Sequence, residues 1–287
     1  LSLLLLPLLF PFSYEISLDN FSNPHWDEKA KGLCHGERYG VPDMNCYIYR
    51  IYLFPVKVEV RSRDPPLVIL KHFIPRKLIW KFMAEIKKRG LVQQKVVDSV
   101  TGKQMASPGR NANGTRLGHH ETPTSSKIFN LIQQRIAAID FRRAETYMYL
   151  YSLEVLSYNP GGHYAPHYDF MVKESEIDKI VGNRFLTFLF ILQTAKKGGG
   201  TVFPLLHSTI QPEKGDAIMW LNMDTMLSVE NKSFHAACPI LEGTKMAATL
   251  WVRQRGQELT MPCHHSGSYD LESLFHPSEK KLSHKMD

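Results

Sequence analysis

Between Pro75 and Lys88, apolar residues recur at helical spacing. Leu78, Ile79, Phe82, Met83 and Ile86 form one stripe, and Lys81, Lys87 and Lys88 lie outside it. That period predicts an amphipathic helix packed on one face, with Gly90 as its stop. A second helix is predicted with Thr124 or Ser125 as N-cap and Ile128, Leu131, Ile132, Ile136 and Ile139 facing the core. Ahead of both, Pro65-Pro66-Leu67-Val68-Ile69-Leu70 reads as a strand. The segment 103–123, rich in Gly, Asn, Ser and Thr, reads as a long exposed loop.

From Tyr149 onward the period shortens. Strands are predicted at 149–158, 164–170, 184–192, 201–203, 208–211, 216–221, 234–236 and 245–252. Turns fall at Asn159-Pro160-Gly161-Gly162, Gly198-Gly199-Gly200, Lys214-Gly215-Asp216 and Glu242-Gly243. Helices first and many short strands afterwards predict an α+β fold: a double-stranded β-helix, or jelly roll, with flanking N-terminal helices. Four segments follow: a signal-peptide remnant (1–13), a disulfide-pinned irregular leader (14–63), a catalytic domain (64–260) and a flexible polar tail (261–287).

With 287 residues, 43% of them hydrophobic, the chain can bury a full core. The leucine-rich run Leu1 to Phe10 is too short to span a membrane and fits the apolar core of a signal peptide. Four cysteines (Cys34, Cys46, Cys238, Cys263) have neighbours unlike zinc spacing. Asn20, Asn113 and Asn231 stand in glycosylation acceptor motifs. Together these place the expected protein in the endoplasmic reticulum lumen or outside the cell. The net charge of +7 is concentrated between Lys71 and Lys127, where 12 Lys/Arg face three Asp/Glu. Aromatic residues are not interleaved with the basic ones, so a nucleic-acid partner is not expected. A solvated basic face that steers an anionic or extended peptide substrate is.

The chemistry lies in His167-Tyr168-Asp169, then His235, then Lys245. Strand side chains repeat every second residue, so His167 and Asp169 share one face. A distant second histidine makes two imidazoles and one carboxylate, the facial triad of non-haem Fe(II) oxygenases. Three protein ligands leave positions open on the metal. Lys245 shares its face with Ala247, Thr249, Trp251 and Arg253, and a lysine on such an inward face needs an anionic partner. A zinc hydrolase would use the same three ligands but leaves Lys245 unexplained. His119, His120, His264 and His265 lie in loop-like sequence and are expected to face solvent.

Tyr158-Asn159-Pro160-Gly161-Gly162-His163-Tyr164-Ala165-Pro166-His167-Tyr168-Asp169-Phe170, the Gly182-Asn183-Arg184 turn, the Gly198 to Pro204 segment and the stretches following His235 and Arg255 together resemble prolyl 4-hydroxylases. The similarity is to the catalytic domain of the collagen-type alpha subunit, in a short form, over about residues 64 to 263. The resemblance implies Fe(II) on His167, Asp169 and His235, and 2-oxoglutarate among Lys245, Tyr158 and Thr201. It implies Tyr164, Arg184 and Trp251 around the substrate proline, with ascorbate restoring oxidised iron. The implied reaction couples decarboxylation of 2-oxoglutarate to 4-hydroxylation of proline in collagen-like or proline-rich polypeptides. Arg253 stands near the substrate where the family commonly has His. The resemblance also implies Cys34/Cys46 and Cys238/Cys263 pairs and makes protein disulfide isomerase a candidate partner. The alternatives are a sister dioxygenase acting on another residue, such as lysine, or a catalytically silent module binding proline-rich peptides.

Overall fold

The computed structural model describes residues 26–36, 45–51, 54–97, 103–136, 151–257, 268–269 and 271–275. In chain order, α1 (Glu28–His35), β1 (Asn45–Ile51), β2 (Phe54–Arg63) and β3 (Pro66–Lys71) precede α2 (Arg76–Arg89). Then come β4 (Val92–Gln93), β5 (Val96–Val97), β6 (Gln104–Met105), β7 (Arg110–Asn111), β8 (Asn113–Gly118) and α3 (Pro123–Arg135). Next are β9 (Ser152–Tyr158), β10 (His163–His167), α4 (Glu176–Val181), β11 (Arg184–Gln193), β12 (Lys197–Gly198) and β13 (Thr201–Phe203). The last are β14 (Ser208–Ile210), β15 (Ala217–Leu221), β16 (His235–Ala237), β17 (Ile240–Glu242), β18 (Lys245–Arg253) and α5 (Leu271–Phe275).

A nine-stranded antiparallel sheet runs β1-β2-β3-β15-β11-β18-β9-β8-β4, and a five-stranded one runs β14-β13-β16-β10-β7. From β9 onward the chain crosses between them. Strands β9, β11, β15 and β18 lie in the large sheet, and β10, β13, β14 and β16 in the small one. That interleaving of antiparallel strands is the double-sheet jelly roll.

Strand alternation sorts each large-sheet strand into two faces. On β11, Leu186, Phe188 and Phe190 pack with Ile79, Phe82 and Ile86 of α2 and Ile128, Phe129 and Ile132 of α3. Met219 and Leu221 of β15 and Leu250 and Val252 of β18 join the same cluster. The opposite parity looks toward the small sheet, where Ile218 and Trp220 meet Phe203 and Ile210. Glu154, Tyr158, Thr187, Lys245, Thr249 and Trp251 all fall on this inward parity. The helices thus seal one face of the sheet and leave the other for chemistry.

The two helix ends follow from their sequences. Gly90 closes α2 at φ +83°, and its N–H donates to the Ile86 carbonyl. Helix α3 begins two residues earlier than expected: Thr122 is the N-cap, in a capping box with Ser125, and Pro123 takes the first turn. Ile139 lies outside the described residues.

Three expectations are corrected. The stretch read as an irregular leader contains α1, β1 and β2. Val56, Val58 and Val60 are buried in the main cluster and alternate with polar neighbours, which places β2 beside β3. The segment read as an exposed loop contributes β8, paired with β9 and β4, so Asn113 sits inside a sheet opposite Ser157 and Gln93. In the tail, Leu271, Leu274 and Phe275 of α5 are buried in the main cluster, an i, i+3, i+4 stripe. Residues 1–13 and Asn20 lie outside the described residues, and Asn231 is exposed.

The cysteine pairing is corrected as well. Cys34 bonds to Cys238, and Cys46 is free and exposed. Helix α1 lies on the small sheet, where Trp26, Ala30 and Leu33 pack with Ala165, Val202, Ala236 and Cys238. Cys46 is on β1, at the edge of the large sheet. The resemblance implied a Cys34/Cys46 pair, but Cys34 is on α1 against the small sheet and Cys46 is on an edge strand of the large one. Cys263 lies outside the described residues.

Candidate metal centre and its cleft

Strand β10 ends at His167, β16 begins at His235, and the two residues are direct cross-strand partners. Asp169 follows β10 by two residues. His167 Nε2 is 3.7 Å from Asp169 Oδ1, and His235 Nε2 is 3.8 Å from Asp169 Oδ2. One donor atom from each residue falls within 4.8 Å of the others. Each histidine Nδ1 is 2.8 Å from the carbonyl two residues before it, Ala165 for His167 and Ser233 for His235. A carbonyl only accepts, so each Nδ1 carries the hydrogen and each Nε2 presents its lone pair to the centre. Burial, and then His235, push the His167 pKa down to about 3, so the imidazole is neutral, as a metal requires. Burial opposes ionisation of Asp169, but favourable electrostatics with its neighbours His235, His167 and Arg184 outweigh it and lower its pKa. Two imidazoles and one carboxylate on one side of an open space suit Fe(II).

That space is a cleft of about 840 Å³ between the two sheets. Lys245, only 4% exposed, lies behind the Thr201 wall of the cleft, the direct partner of Tyr158 across β18 and β9. Its Nζ donates to the Gly199 carbonyl at 2.7 Å and to Thr201 Oγ1 at 3.4 Å. Burial lowers its pKa to about 8. Among the described residues no carboxylate pairs with it. A buried cation whose protein contacts are a carbonyl and a hydroxyl fits an anionic ligand. The glycine turn makes the approach possible: Gly199 has φ +73°, and a Cβ there would lie 2.6 Å from Ile240 Cδ1.

The outer walls come from both sheets. The Tyr164 ring stacks on His167 with centroids 3.7 Å apart, and the Arg110 guanidinium covers Tyr164 at 4.7 Å. Arg184 lies over Trp251 at 3.6 Å. Glu154 is buried between Arg110 (2.8 Å) and Arg116 (2.9 Å). Burial raises the Glu154 pKa, but the two guanidiniums prevail and keep it below its usual value. Lys95, Arg110 and Arg116 of the basic stretch line the cleft, whereas α2 carries its lysines on the far side of the large sheet.

The structure brings His167, Asp169, His235, Tyr158, Thr201, Tyr164, Arg184 and Trp251 to this cleft, with Lys245 behind Thr201. It does not bring Arg253. That guanidinium donates to Asp178 of α4 at 2.8 Å and to the Gly182 carbonyl at 3.3 Å, and the residue is not among those lining the cleft. His119 is also corrected: it is 9% exposed and packs edge-on against Phe129. Arg110, Glu154, Thr187 and Trp220 escaped the sequence reading because no motif links them. Only the inward parity of Glu154 and Thr187 on their strands could have flagged two of them.

Residues 153–253 match the family model of the 2OG-Fe(II) oxygenase superfamily. Within it, the similarity is to prolyl 4-hydroxylase alpha subunits. Prolyl 4-hydroxylase subunit alpha-1 of Rattus norvegicus is 34% identical over 218 residues, covering 75% of this chain and 39% of the rat protein. The Caenorhabditis elegans subunit alpha-1 is 32% identical over 244 residues, 81% of this chain and 42% of the nematode protein. The chain thus spans about two fifths of the length of these relatives. Among solved structures, the 2OG complex of the viral collagen prolyl hydroxylase from Paramecium Bursaria Chlorella virus-1 is 21% identical, covering 64% of this chain and 94% of that one, with a TM-score of 0.46.

Proposed function

We propose that this chain is a prolyl 4-hydroxylase that acts on collagen-like or proline-rich polypeptides with Fe(II), 2-oxoglutarate and dioxygen. The observation that carries the reading is a two-histidine, one-carboxylate centre in a cleft whose Thr201 wall is backed by a buried Lys245 with no carboxylate partner among the described residues. The named relatives supply the proline.

In this reading His167, Asp169 and His235 hold Fe(II). Bound there, iron and 2-oxoglutarate supply the oxidation: dioxygen gives one oxygen to proline C4 and one to succinate, with release of carbon dioxide. The protein's part is placement. Lys245, Thr201 and Tyr158 take the far carboxylate of 2-oxoglutarate, which fixes its keto-acid end toward the iron. Tyr164, Arg184 and Trp251 form a flat, cationic-aromatic wall suited to a proline ring and its flanking carbonyls. The catalytic unit comprises 64–260, with β1 and β2 extending its large sheet and α2 and α3 flanking it. Ascorbate keeps the iron reduced. The secretory setting, the glycans and a protein disulfide isomerase partner belong to the same proposal; among the described residues no helix is long and apolar enough to cross a membrane.

Succinate release with Fe(II) and ascorbate, with and without a (Pro-Pro-Gly) repeat peptide, tests it. The expected result is peptide-stimulated succinate that His235→Ala abolishes while the circular dichroism spectrum stays native. Succinate unaffected by peptide would point to another substrate, and retained turnover in His235→Ala would remove the metal assignment.

A further inference from the structure

The hydrogen bonding behind Asp169 runs deeper than one contact. Thr187 Oγ1 donates to Asp169 Oδ2 at 2.8 Å, and Asn222 Nδ2 donates to Thr187 Oγ1 at 2.8 Å. An ionised carboxylate can only accept, so the single hydroxyl proton of Thr187 is committed to Asp169. The Asn222 amide must then be the donor to that hydroxyl. Direction is therefore fixed along the whole chain, from Asn222 through Thr187 to Asp169.

Both supporting residues are rigidly set. Thr187 is fully buried on β11, with Trp220 as its register partner on one side and Trp251 on the other. Asn222, also fully buried, follows β15 and is stitched at both backbone ends. Its N–H donates to the Phe185 carbonyl at 2.9 Å, and its carbonyl accepts from the Glu230 N–H at 2.9 Å. The side-chain amide is aimed by its backbone.

Asn222 Oδ1 is buried with no hydrogen-bond partner among the described residues. An unsatisfied buried acceptor works against folding, and an apolar side chain of similar size would remove that cost. The position therefore carries an amide at the expense of stability. Among the described residues, the contact that uses the amide side chain is the one to Thr187.

We propose that Thr187 and Asn222 are positioning residues for the metal centre. They lock the rotation of the Asp169 carboxylate relative to the two imidazoles, so that the three ligands meet an incoming divalent cation already arranged. The inference rests on the metal reading of His167, Asp169 and His235.

Co(II) is the probe, titrated calorimetrically into the metal-free full chain beside thermal melts of the same samples. Thr187→Val keeps the shape and removes the hydroxyl; it should weaken Co(II) binding roughly 10- to 100-fold, and Thr187→Ser should restore it. Asn222→Leu should weaken Co(II) binding while the metal-free melting temperature holds or rises. A purely structural residue would do the reverse, lowering the melt and leaving affinity alone. Unchanged affinity in Thr187→Val and Asn222→Leu overturns the proposal and leaves the metal reading intact. Absence of Co(II) binding by the unmodified chain, with His235→Ala no different, overturns both.

Discussion

Lys245 stands directly across from Tyr158 in the β18/β9 register, and its ammonium reaches the Gly199 carbonyl at 2.7 Å. Burial has already lowered its pKa to about 8, so it is poised to lose its charge in mildly alkaline solution. Only the ammonium attracts a carboxylate. The KM for 2-oxoglutarate should therefore rise as pH passes about 8, while the KM for peptide changes less. Lys245→Ala should raise the 2-oxoglutarate KM at all pH values and flatten this profile. Steady-state kinetics from pH 7 to pH 9, in the range set by these values, check it. A profile identical in both proteins would make Lys245 structural.

The same group affects folding with a definite sign. An unfolded lysine titrates near about 10.4. Between about 8 and that value the unfolded chain binds more protons, so the Lys245 contribution to stability rises with pH across this window. His167 behaves alike on the acid side. Its folded pKa of about 3 lies below the unfolded value of about 6.5, so stability is lost as pH falls from about 6.5 toward about 3. Melting of the metal-free protein should drop through this range, and His167→Gln should drop less. Equal slopes would contradict the neutral, buried imidazole.

The Cys34–Cys238 bond spans 204 residues and ties α1 to the sheet that carries His235. Closing so long a loop restricts the unfolded chain, and loss of such a bond typically costs about 2–5 kcal/mol. Cys34→Ser and Cys238→Ser should each lower stability by about that amount, and Cys46→Ser by little, in denaturant titrations. Peptide mapping without reduction should recover a 34–238 cross-link. Recovery of Cys34–Cys46 or Cys238–Cys263 instead would reject the pairing.

Arg253 binds Asp178; burial raises the Asp178 pKa, but the Ser175 hydroxyl and backbone and the Arg253 charge outweigh it and hold the pKa below its usual value. Removing one partner of a largely buried ion pair leaves a charge uncompensated. Arg253→Met should destabilise more than the Arg253→Met/Asp178→Leu double variant, a coupling that a double-mutant cycle measures. Strict additivity would return Arg253 to the surface.

Much of this was legible in the chain. Strands β9, β11, β15 and β18 were readable as short, largely apolar runs bounded by turn residues, since both faces of each are mostly buried. His167 and Asp169 were readable because strand geometry puts alternate residues on one face. Helix α1 was harder, being eight residues long and polar apart from Ala30 and Leu33. The β2 alternation of Val56, Val58 and Val60 was present but hidden by the Gly- and Pro-rich segment before it. The Cys34–Cys238 bond, the Arg253–Asp178 pair and the Asn222–Thr187–Asp169 chain join residues distant in sequence. No local pattern encodes such contacts; the order in which strands alternate between sheets creates them.

The most direct test of the central claim is the fate of dioxygen. With ¹⁸O₂, Fe(II), ascorbate, 2-oxoglutarate and a (Pro-Pro-Gly) repeat peptide, mass analysis should find one ¹⁸O in 4-hydroxyproline and one in succinate, in equal amounts. Unlabelled, unmodified peptide recovered from folded, iron-loaded protein would contradict the assignment of this cleft as a prolyl 4-hydroxylase site.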